Sequence, residues 1–300
     1  MSEFEELLKK TRFYRLTILA KQGIAEAQYN LGVMYYNGDG IRVDDYKAFD
    51  WFEKAAEQGI AEAQYNLGVM YRDDLGAASF LPDSGEALYW FKKSAEQGNA
   101  KAQYNLGVMY YNGYGITQDD EKAFYWFENA AIRGYANAQN NLGEMYRLGK
   151  SVGINYEKAF GWFENAATQG NREAQYNLGA MYYKGDGITQ DYEKAFDWFK
   201  KSAERGHAEA QYNLGVMYYK GGRVTIQQDY EKAFYWFKKS AEQGNREAQY
   251  NLGTMYYTGN GITQDYEKAF YWFEKSAAQG NVKAQCKLGV MYERGKGYSY

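Results

Sequence analysis

The chain has 300 residues, a formal net charge of −3 and a pI near 5.5, and its mean hydropathy is −0.73 although 45% of its residues are hydrophobic. Such a mildly acidic chain, without clustered Lys and Arg, argues against nucleic acid or an anionic membrane as the main partner. The single cysteine, Cys286, excludes an intrachain disulfide and a cysteine-based zinc site. Ala, Glu, Lys, Gln and Tyr dominate and runs of Val and Ile are nearly absent, which predicts an all-α fold.

Targeting signals and catalytic residue sets are the next features to consider. The opening MSEFEELLKKTRF is acidic and lacks the apolar core of a signal peptide, and no apolar run is long enough to span a membrane. We therefore expect a cytoplasmic chain without a membrane partner. With one His and one Cys, no zinc site or Cys-His or Ser-His-Asp nucleophile can be built, so we predict no catalytic residue, cofactor or metal. We interpret His207 as a surface turn residue.

An Ala-Gln pair recurs every 36 to 39 residues and defines a repeat. Residues 1–23 align with the second half of one repeat, and Arg15 stands where the others have tryptophan, so this segment is interpreted as an N-terminal capping helix with a more polar face. Seven repeats of 36–39 residues are predicted over 24–283. Residues 284–300 are predicted to form a half-repeat cap and tail.

Each repeat contains two amphipathic patterns, called helix A and helix B here. In the repeat that spans residues 174–209 their apolar positions are Ala174, Leu178, Met181 and Tyr182 in helix A, and Ala195, Trp198, Phe199 and Ser202 in helix B. Helix A is predicted to end at the two glycines of Lys-Gly-Asp-Gly, and Asp191 is a natural N-cap for helix B, which ends at Gly206. Short connections of this kind make neighbouring helices antiparallel.

A glycine interrupts every helix A, at Gly179 and at the equivalent positions Gly32, Gly68, Gly107, Gly143, Gly215, Gly253 and Gly289. An exposed glycine in a helix costs about 1 kcal/mol relative to alanine. We interpret the repeated glycine as the point where an aromatic side chain of helix B approaches closely. The alternative is a tolerated flexible point.

The motifs L-G-x-x-Y, G-x-G-[IV], D-x-x-K-A and W-[FY]-x-x-[AS]-A resemble those of Sel1-like repeats, a branch of the tetratricopeptide-like superfamily, over residues 24–294. The resemblance implies a right-handed α/α superhelical solenoid of helix-turn-helix repeats, with A helices inside and B helices outside. It also implies a scaffold or adaptor role in protein assemblies. Some bacterial members carry paired cysteines and have been linked to β-lactam binding, but this chain lacks the pairs.

Helix A carries tyrosines and an asparagine that its buried face does not require. A helical wheel places Tyr176 and Tyr183 opposite the apolar face, and Asn177 on its flank. We define the candidate surface as these residues and their equivalents: Tyr29, Asn30, Tyr36, Tyr65, Asn66, Tyr104, Asn105, Tyr111, Asn141, Tyr176, Asn177, Tyr183, Tyr212, Asn213, Tyr219, Tyr250, Asn251 and Tyr257. Arg72, Asn140 and Arg147 interrupt the tyrosine series.

Two interpretations of the candidate surface stay open. Tyrosine offers a large rigid contact area with a hydroxyl, and an asparagine amide can both donate to and accept from an extended backbone, so the surface is predicted to bind a partner protein or peptide. Alternatively, the tyrosines pack between adjacent A helices and each asparagine bonds a neighbouring helix. Replacing Asn141, Asn177 and Asn213 together should separate the two, because structural asparagines would unfold the chain.

The sequence therefore favours a non-enzymatic, monomeric protein–protein interaction scaffold whose partner it does not identify. The alternatives are a self-assembling or engineered consensus-like structural solenoid and, less well supported, a β-lactam-binding or β-lactam-hydrolysing enzyme. The second-repeat loop is three residues longer than the others and contains Phe80 and Leu81, which suggests either a contact point or drift in a surface loop. We predict that this repeat is the least stable one.

Overall fold

The computed structural model describes residues 3–73, 83–221 and 227–297, and throughout these ranges its regular structure is α-helical, without a strand. The helices are α1 (Glu3–Lys21), α2 (Ala25–Asn37), α3 (Asp45–Glu57), α4 (Ala61–Asp73), α5 (Ser84–Glu96), α6 (Ala100–Asn112), α7 (Asp120–Ile132), α8 (Ala136–Leu148), α9 (Tyr156–Thr168), α10 (Arg172–Lys184), α11 (Tyr192–Glu204), α12 (Ala208–Lys220), α13 (Tyr230–Glu242), α14 (Arg246–Thr258), α15 (Tyr266–Ala278) and α16 (Val282–Glu293).

The helices form two compact units, Met1–Ile154 with α1 to α8 and Asn155–Tyr300 with α9 to α16. Within each unit, every helix packs against the next one in the chain. The even-numbered helices are A helices and the odd-numbered ones from α3 onward are B helices. The predicted all-α solenoid of helix-turn-helix repeats is thereby confirmed.

The helix boundaries follow from the predicted capping residues. A side-chain oxygen of Asp191 accepts hydrogen bonds from the backbone N–H groups of Glu193 and Lys194, at 3.1 and 3.0 Å, and so satisfies donors at the start of α11. Gly185 ends α10 in the left-handed region with a φ of 79°. Gly206 follows α11 with a φ of 88°. The predicted N-cap and both predicted glycine stops are confirmed.

The core alternates Ala, Leu and Met from A helices with Ala and Phe from B helices. Its largest fully buried side chains include Phe52, Phe91, Phe127, Phe163, Phe199, Phe237 and Phe273, one from each helix B. The tryptophans differ from the prediction, because Trp198 is only partly buried and carries the Lys201 ammonium 4.0 Å from its ring centroid. Trp236 packs on the cluster around Phe199 in the preceding repeat. Trp90 is the most buried tryptophan, at 8% exposed, and belongs to the buried cluster around Phe52.

The helix A glycines lie where helix B approaches most closely. A Cβ atom at Gly179 would stand 2.8 Å from Cδ1 of Phe199, well inside van der Waals contact. The equivalent distances are 2.6 to 2.8 Å at Gly32, Gly68, Gly107, Gly215 and Gly253. At Gly289 in α16, which has no helix B packed on this site among the described residues, nothing lies within 4 Å. The predicted aromatic contact is confirmed at these six glycines.

A series of buried glutamines, not singled out by the helical wheel, links the repeats. The side-chain amide of Gln175, 4% exposed, donates to the Ala167 carbonyl at the end of the preceding helix B, at 3.1 Å. A second glutamine then donates to the first, as in the pairs Gln58–Gln28, Gln97–Gln64, Gln243–Gln211 and Gln279–Gln249. Where Arg133 and Arg205 replace the second glutamine, the side-chain oxygens of Gln103 and Gln175 have no hydrogen-bond partner in the described part of the chain.

Arg205→Gln is expected to raise the free energy of unfolding by about 1 kcal/mol, because it supplies the missing donor to the buried Gln175 oxygen. Chemical denaturation followed by circular dichroism measures the difference. Glu204→Gln, an exposed change in the same turn, is the matched control and should have little effect. Equal stability of the two variants would contradict the assignment.

The altered loops lie largely beyond the described ranges. Residues 74–82, with Phe80 and Leu81, are not described, so their contact role and the low stability of the second repeat stay predictions. In the sixth repeat, residues 222–226 are also outside the described part of the chain.

Candidate partner-binding surface

The tyrosines of the candidate surface pack around the phenylalanine of their own helix B. The Phe199 ring centroid lies 5.8 Å from that of Tyr176 and 6.3 Å from that of Tyr183. Gly179 lies between the two tyrosines in the sequence and meets the same ring. The wheel placed these tyrosines opposite the buried face, whereas they lie beside it. The reason is that α10 packs against both α9 and α11, which widens its buried face beyond one stripe.

This packing leaves part of each tyrosine of the candidate surface exposed to solvent. Tyr36 is 38% exposed and Tyr183 is 40% exposed, although both rings contact a buried phenylalanine. The other tyrosines of the candidate surface are half-buried: Tyr29, Tyr65, Tyr104, Tyr111, Tyr176, Tyr212, Tyr219, Tyr250 and Tyr257. The surface therefore presents fixed aromatic edges rather than freely moving side chains.

The asparagines link neighbouring A helices at several places. The Tyr65 hydroxyl forms a hydrogen bond with the Asn105 side chain, and burial raises the pKa of Tyr65. The same pairing joins Tyr29 with Asn66 and Tyr212 with Asn251, and burial raises the pKa of both tyrosines. Asn105 also donates to the Lys101 carbonyl of its own helix at 2.9 Å. These bonds support the structural interpretation of the asparagines, without using all the hydrogen-bonding capacity of each amide.

The interruptions of the tyrosine series are occupied by internal polar contacts. Arg72 donates to the Asn105 side-chain oxygen at 2.7 Å and forms an ion pair with Asp73 at 2.7 Å. Arg147 forms an ion pair with Glu144 at 2.6 Å on its own helix. The candidate surface is thus most continuous in aromatic character in the repeats that lack these arginines.

His207 lies in the predicted turn between α11 and α12, half-buried rather than fully exposed. Its Nδ1 accepts a hydrogen bond from the Ala210 N–H at 3.2 Å and caps α12. Its ring stacks on Tyr176 with centroids 4.6 Å apart. Burial lowers the pKa of His207, while the nearby carboxylate of Glu173 raises it. The cap position explains the role, because Asn fills the same place in other repeats.

We expect stability to fall by about 1 kcal/mol as the pH is lowered below the unfolded histidine pKa of about 6.5. Because the pKa of His207 is lower in the folded chain, the folded chain binds fewer protons than the unfolded chain. The stabilising contribution of His207 is therefore complete above the unfolded pKa and is lost as the pH falls to the folded pKa. Protonation also removes the acceptor for Ala210. Denaturation at pH 8 and pH 5 should show the difference in the unmodified chain.

His207→Asn is the matched control, since Asn99, Asn171 and Asn245 cap equivalent helices. Because the chain has a single histidine, this variant should lose the pH dependence between about 5 and 7. An unchanged pH profile in the variant would assign the dependence to carboxyl groups instead.

Metal sites and membrane-spanning helices are two further features that the described residues do not show. Within residues 3–73, 83–221 and 227–297, no three His, Cys, Asp or Glu side chains are grouped so that they could hold a metal ion. Among the described helices, none combines the length and the apolar character that crossing a membrane requires.

Paired antiparallel helices with one repeated glycine–phenylalanine contact define an all-α repeat protein of the solenoid class. The model of the Sel1 repeat matches residues 25–60, 61–99, 100–135, 136–171, 172–207, 208–245, 246–281 and 282–299. The chain therefore belongs to the Sel1 repeat family. Proteins of this family generally mediate protein–protein interactions and are typically non-enzymatic scaffolds.

Solved structures agree with this assignment. A Sel1 repeat protein from Oxalobacter formigenes is 36% identical, with a TM-score of 0.74, over 92% of this chain and 78% of that chain. The protein c5321, a protective antigen present in uropathogenic Escherichia coli strains and displaying an SLR fold, is 31% identical, with a TM-score of 0.67, over 98% of this chain and 73% of that chain. No curated protein matches the chain.

Proposed function

We propose that the chain is a non-enzymatic scaffold that binds an extended segment of a partner protein along the candidate surface. One observation carries the proposal: tyrosine rings pack against buried phenylalanines and yet remain partly exposed to solvent. A ring that is already fixed loses little conformational entropy when a partner covers it. The cytoplasmic location expected from the sequence belongs to this proposal and is tested separately by fractionation.

The asparagines contribute less to binding in this proposal than the sequence suggested. Asn30 and Asn105 each donate to a carbonyl of their own helix, at 2.7 and 2.9 Å. A side-chain amide has two donor hydrogens and an acceptor oxygen, so this bond leaves capacity for a partner backbone at Asn30, whereas Asn105 is further occupied by Tyr65 and Arg72. The tyrosines supply most of the contact area.

The test combines Tyr183→Ala, Tyr219→Ala and Tyr257→Ala in one variant, with tyrosines taken from three consecutive repeats of the second unit. Peptides of twelve residues are first selected from a displayed random library with the unmodified chain. We expect the variant to bind these peptides at least about tenfold more weakly, because three aromatic contacts are removed. Fluorescence anisotropy gives the dissociation constants, and circular dichroism checks that both proteins are folded.

Exposed tyrosines on B helices provide the matched control. Tyr89, Tyr125 and Tyr271 are 47%, 55% and 47% exposed, so their combined replacement by alanine removes similar area from another face. Peptide affinity should be unchanged in this control. Selection of no peptide, or a larger loss in the control than in the test variant, would reject the proposed surface.

A further inference from the structure

The candidate surface contains a pocket of about 210 Å³ between α10 and α12. It is lined by Tyr183 from α10 and by Tyr212, Asn213, Val216, Met217 and Lys220 from α12. Three of these residues belong to the candidate surface, so the inference drawn from this pocket rests on the proposed function. The pocket is smaller than the roughly 300–1,000 Å³ typical of small-molecule sites. Its size suits a single side chain of a partner.

Met217 sets this repeat apart. Its counterparts Met181 and Met255 are 1% and 0% exposed, whereas Met217 is partly exposed and lines the pocket. The end of α12 also differs: Gly221 has a φ of 55° and a ψ of −144°, while Gly185 at the end of α10 lies in the left-handed helical region. This difference occurs in the repeat whose loop is two residues longer.

The pocket walls are held in place by other contacts. The Tyr183 ring packs against Tyr192 and Phe199, with centroids 5.3 and 6.3 Å away. The Tyr212 ring packs against Phe237 at 6.1 Å. Val216 and Met217 add apolar side chains to the lining, and the methionine side chain can adapt to the shape of an occupant. The site is therefore preorganised for a large apolar side chain.

Charge at the pocket edge adds a second requirement. Lys220 is exposed at the end of α12 and forms no ion pair with any residue in the described ranges. A carboxylate next to the inserted apolar side chain would meet this ammonium. Lys220 therefore favours a partner segment in which the residue next to the inserted side chain is acidic and not basic.

We propose that this pocket anchors an extended partner segment by one leucine, methionine or phenylalanine side chain, with an adjacent aspartate or glutamate paired with Lys220. The other A-helix methionines are at most 5% exposed and therefore offer little surface to a partner. The anchor thus sets the register of the partner along the candidate surface.

The test uses the whole chain with ¹³C-labelled methionine methyl groups and three blocked peptides. They are acetyl-Gly-Leu-Asp-Gly-amide, its Leu→Ala version and its Asp→Lys version. The leucine–aspartate peptide should shift the Met217 signal and leave the Met255 signal unchanged. Each of the other two peptides should bind about tenfold more weakly, because the first loses the apolar contact and the second the ion pair.

Variants complete the test. Val216→Trp fills the pocket and should abolish the Met217 response, while Val69→Trp, at the same position of α4, should leave it intact. Lys220→Glu should reverse the preference, so that the Asp→Lys peptide binds more tightly than its parent. If Val216→Trp does not fold, the reversal of preference in Lys220→Glu and the peptide series on the unmodified chain still test the proposed anchor.

The outcomes separate the pocket from the wider surface. The anchor is overturned if the Met217 signal does not shift, or if it shifts equally with the leucine and alanine peptides. This holds even if the triple-tyrosine variant no longer binds the library peptides. If the leucine–aspartate peptide shifts the Met217 signal, but the library peptides bind the triple-tyrosine variant as tightly as the unmodified chain, the anchor is supported and the extended surface is rejected.

Discussion

Replacing Gly179 by valine is expected to lower the free energy of unfolding by about 3 kcal/mol. The added Cβ would lie 2.8 Å from Cδ1 and 3.0 Å from Cε1 of Phe199, and two further methyl groups would enlarge the clash. Phe199 is 1% exposed, so its ring has no free space to enter. Chemical denaturation measures the loss, and hydrogen exchange should locate the opening in α10 and α11, because each repeat contacts mainly its neighbours.

Gly289→Val is the control for this prediction. Gly289 also follows leucine in an A helix, but a Cβ atom added there would have nothing within 4 Å. The change should be within about 0.5 kcal/mol of neutral, because valine is a better helix former than glycine. Equal destabilisation at both sites would mean that backbone flexibility, and not the phenylalanine ring, requires glycine.

The fold could be predicted from local signals that do not depend on how the helices meet. The recurring Ala-Gln pair sets the repeat, Asp191 can cap a helix wherever that helix packs, and Gly185 can stop one by its positive φ. The role of Gly179 could be predicted because glycine is unfavourable within its own helix, which indicates that a contact with another helix requires it. The cap and the stop act within about one helical turn, and the Ala-Gln pair and the glycine recur at fixed intervals along the chain, so all of them could be found in the sequence.

The contacts of the candidate surface could not be predicted in the same way. A helical wheel assumes one buried face, but α10 packs against two B helices, so Tyr176 lies beside the core. The same assumption gave Gln175 no role, although its side-chain amide donates to the Ala167 carbonyl in the buried interface. Its recurrence after a buried alanine was the available signal, since a surface glutamine has no reason to recur. The pocket at Met217 could not be predicted either, because the methionine at this position lies in the same Leu-Gly-x-Met-Tyr-Tyr motif as its buried counterparts in the neighbouring repeats.

Phe199→Ala is expected to lower the free energy of unfolding by about 3–5 kcal/mol, the range for removing a buried aromatic ring from a packed core. The change should also weaken binding of the selected peptides, because Tyr176 and Tyr183 both pack on this ring. Without it, the two tyrosines would gain rotamers that a partner must then restrict. Denaturation gives the stability, and anisotropy under conditions where the variant is folded gives the affinity.

Phe196→Ala separates the two effects, since Phe196 is partly buried on the same helix and packs against Tyr218, which is not part of the candidate surface. This control should lose stability but keep its peptide affinity. If both variants bind peptides as the unmodified chain does, the fixed rings are not what the partner recognises. If both variants lose peptide affinity in proportion to their loss of stability, binding depends on the rigidity of the whole repeat. If only Phe199→Ala loses peptide affinity, the contact of the two tyrosines with the Phe199 ring is what supports binding.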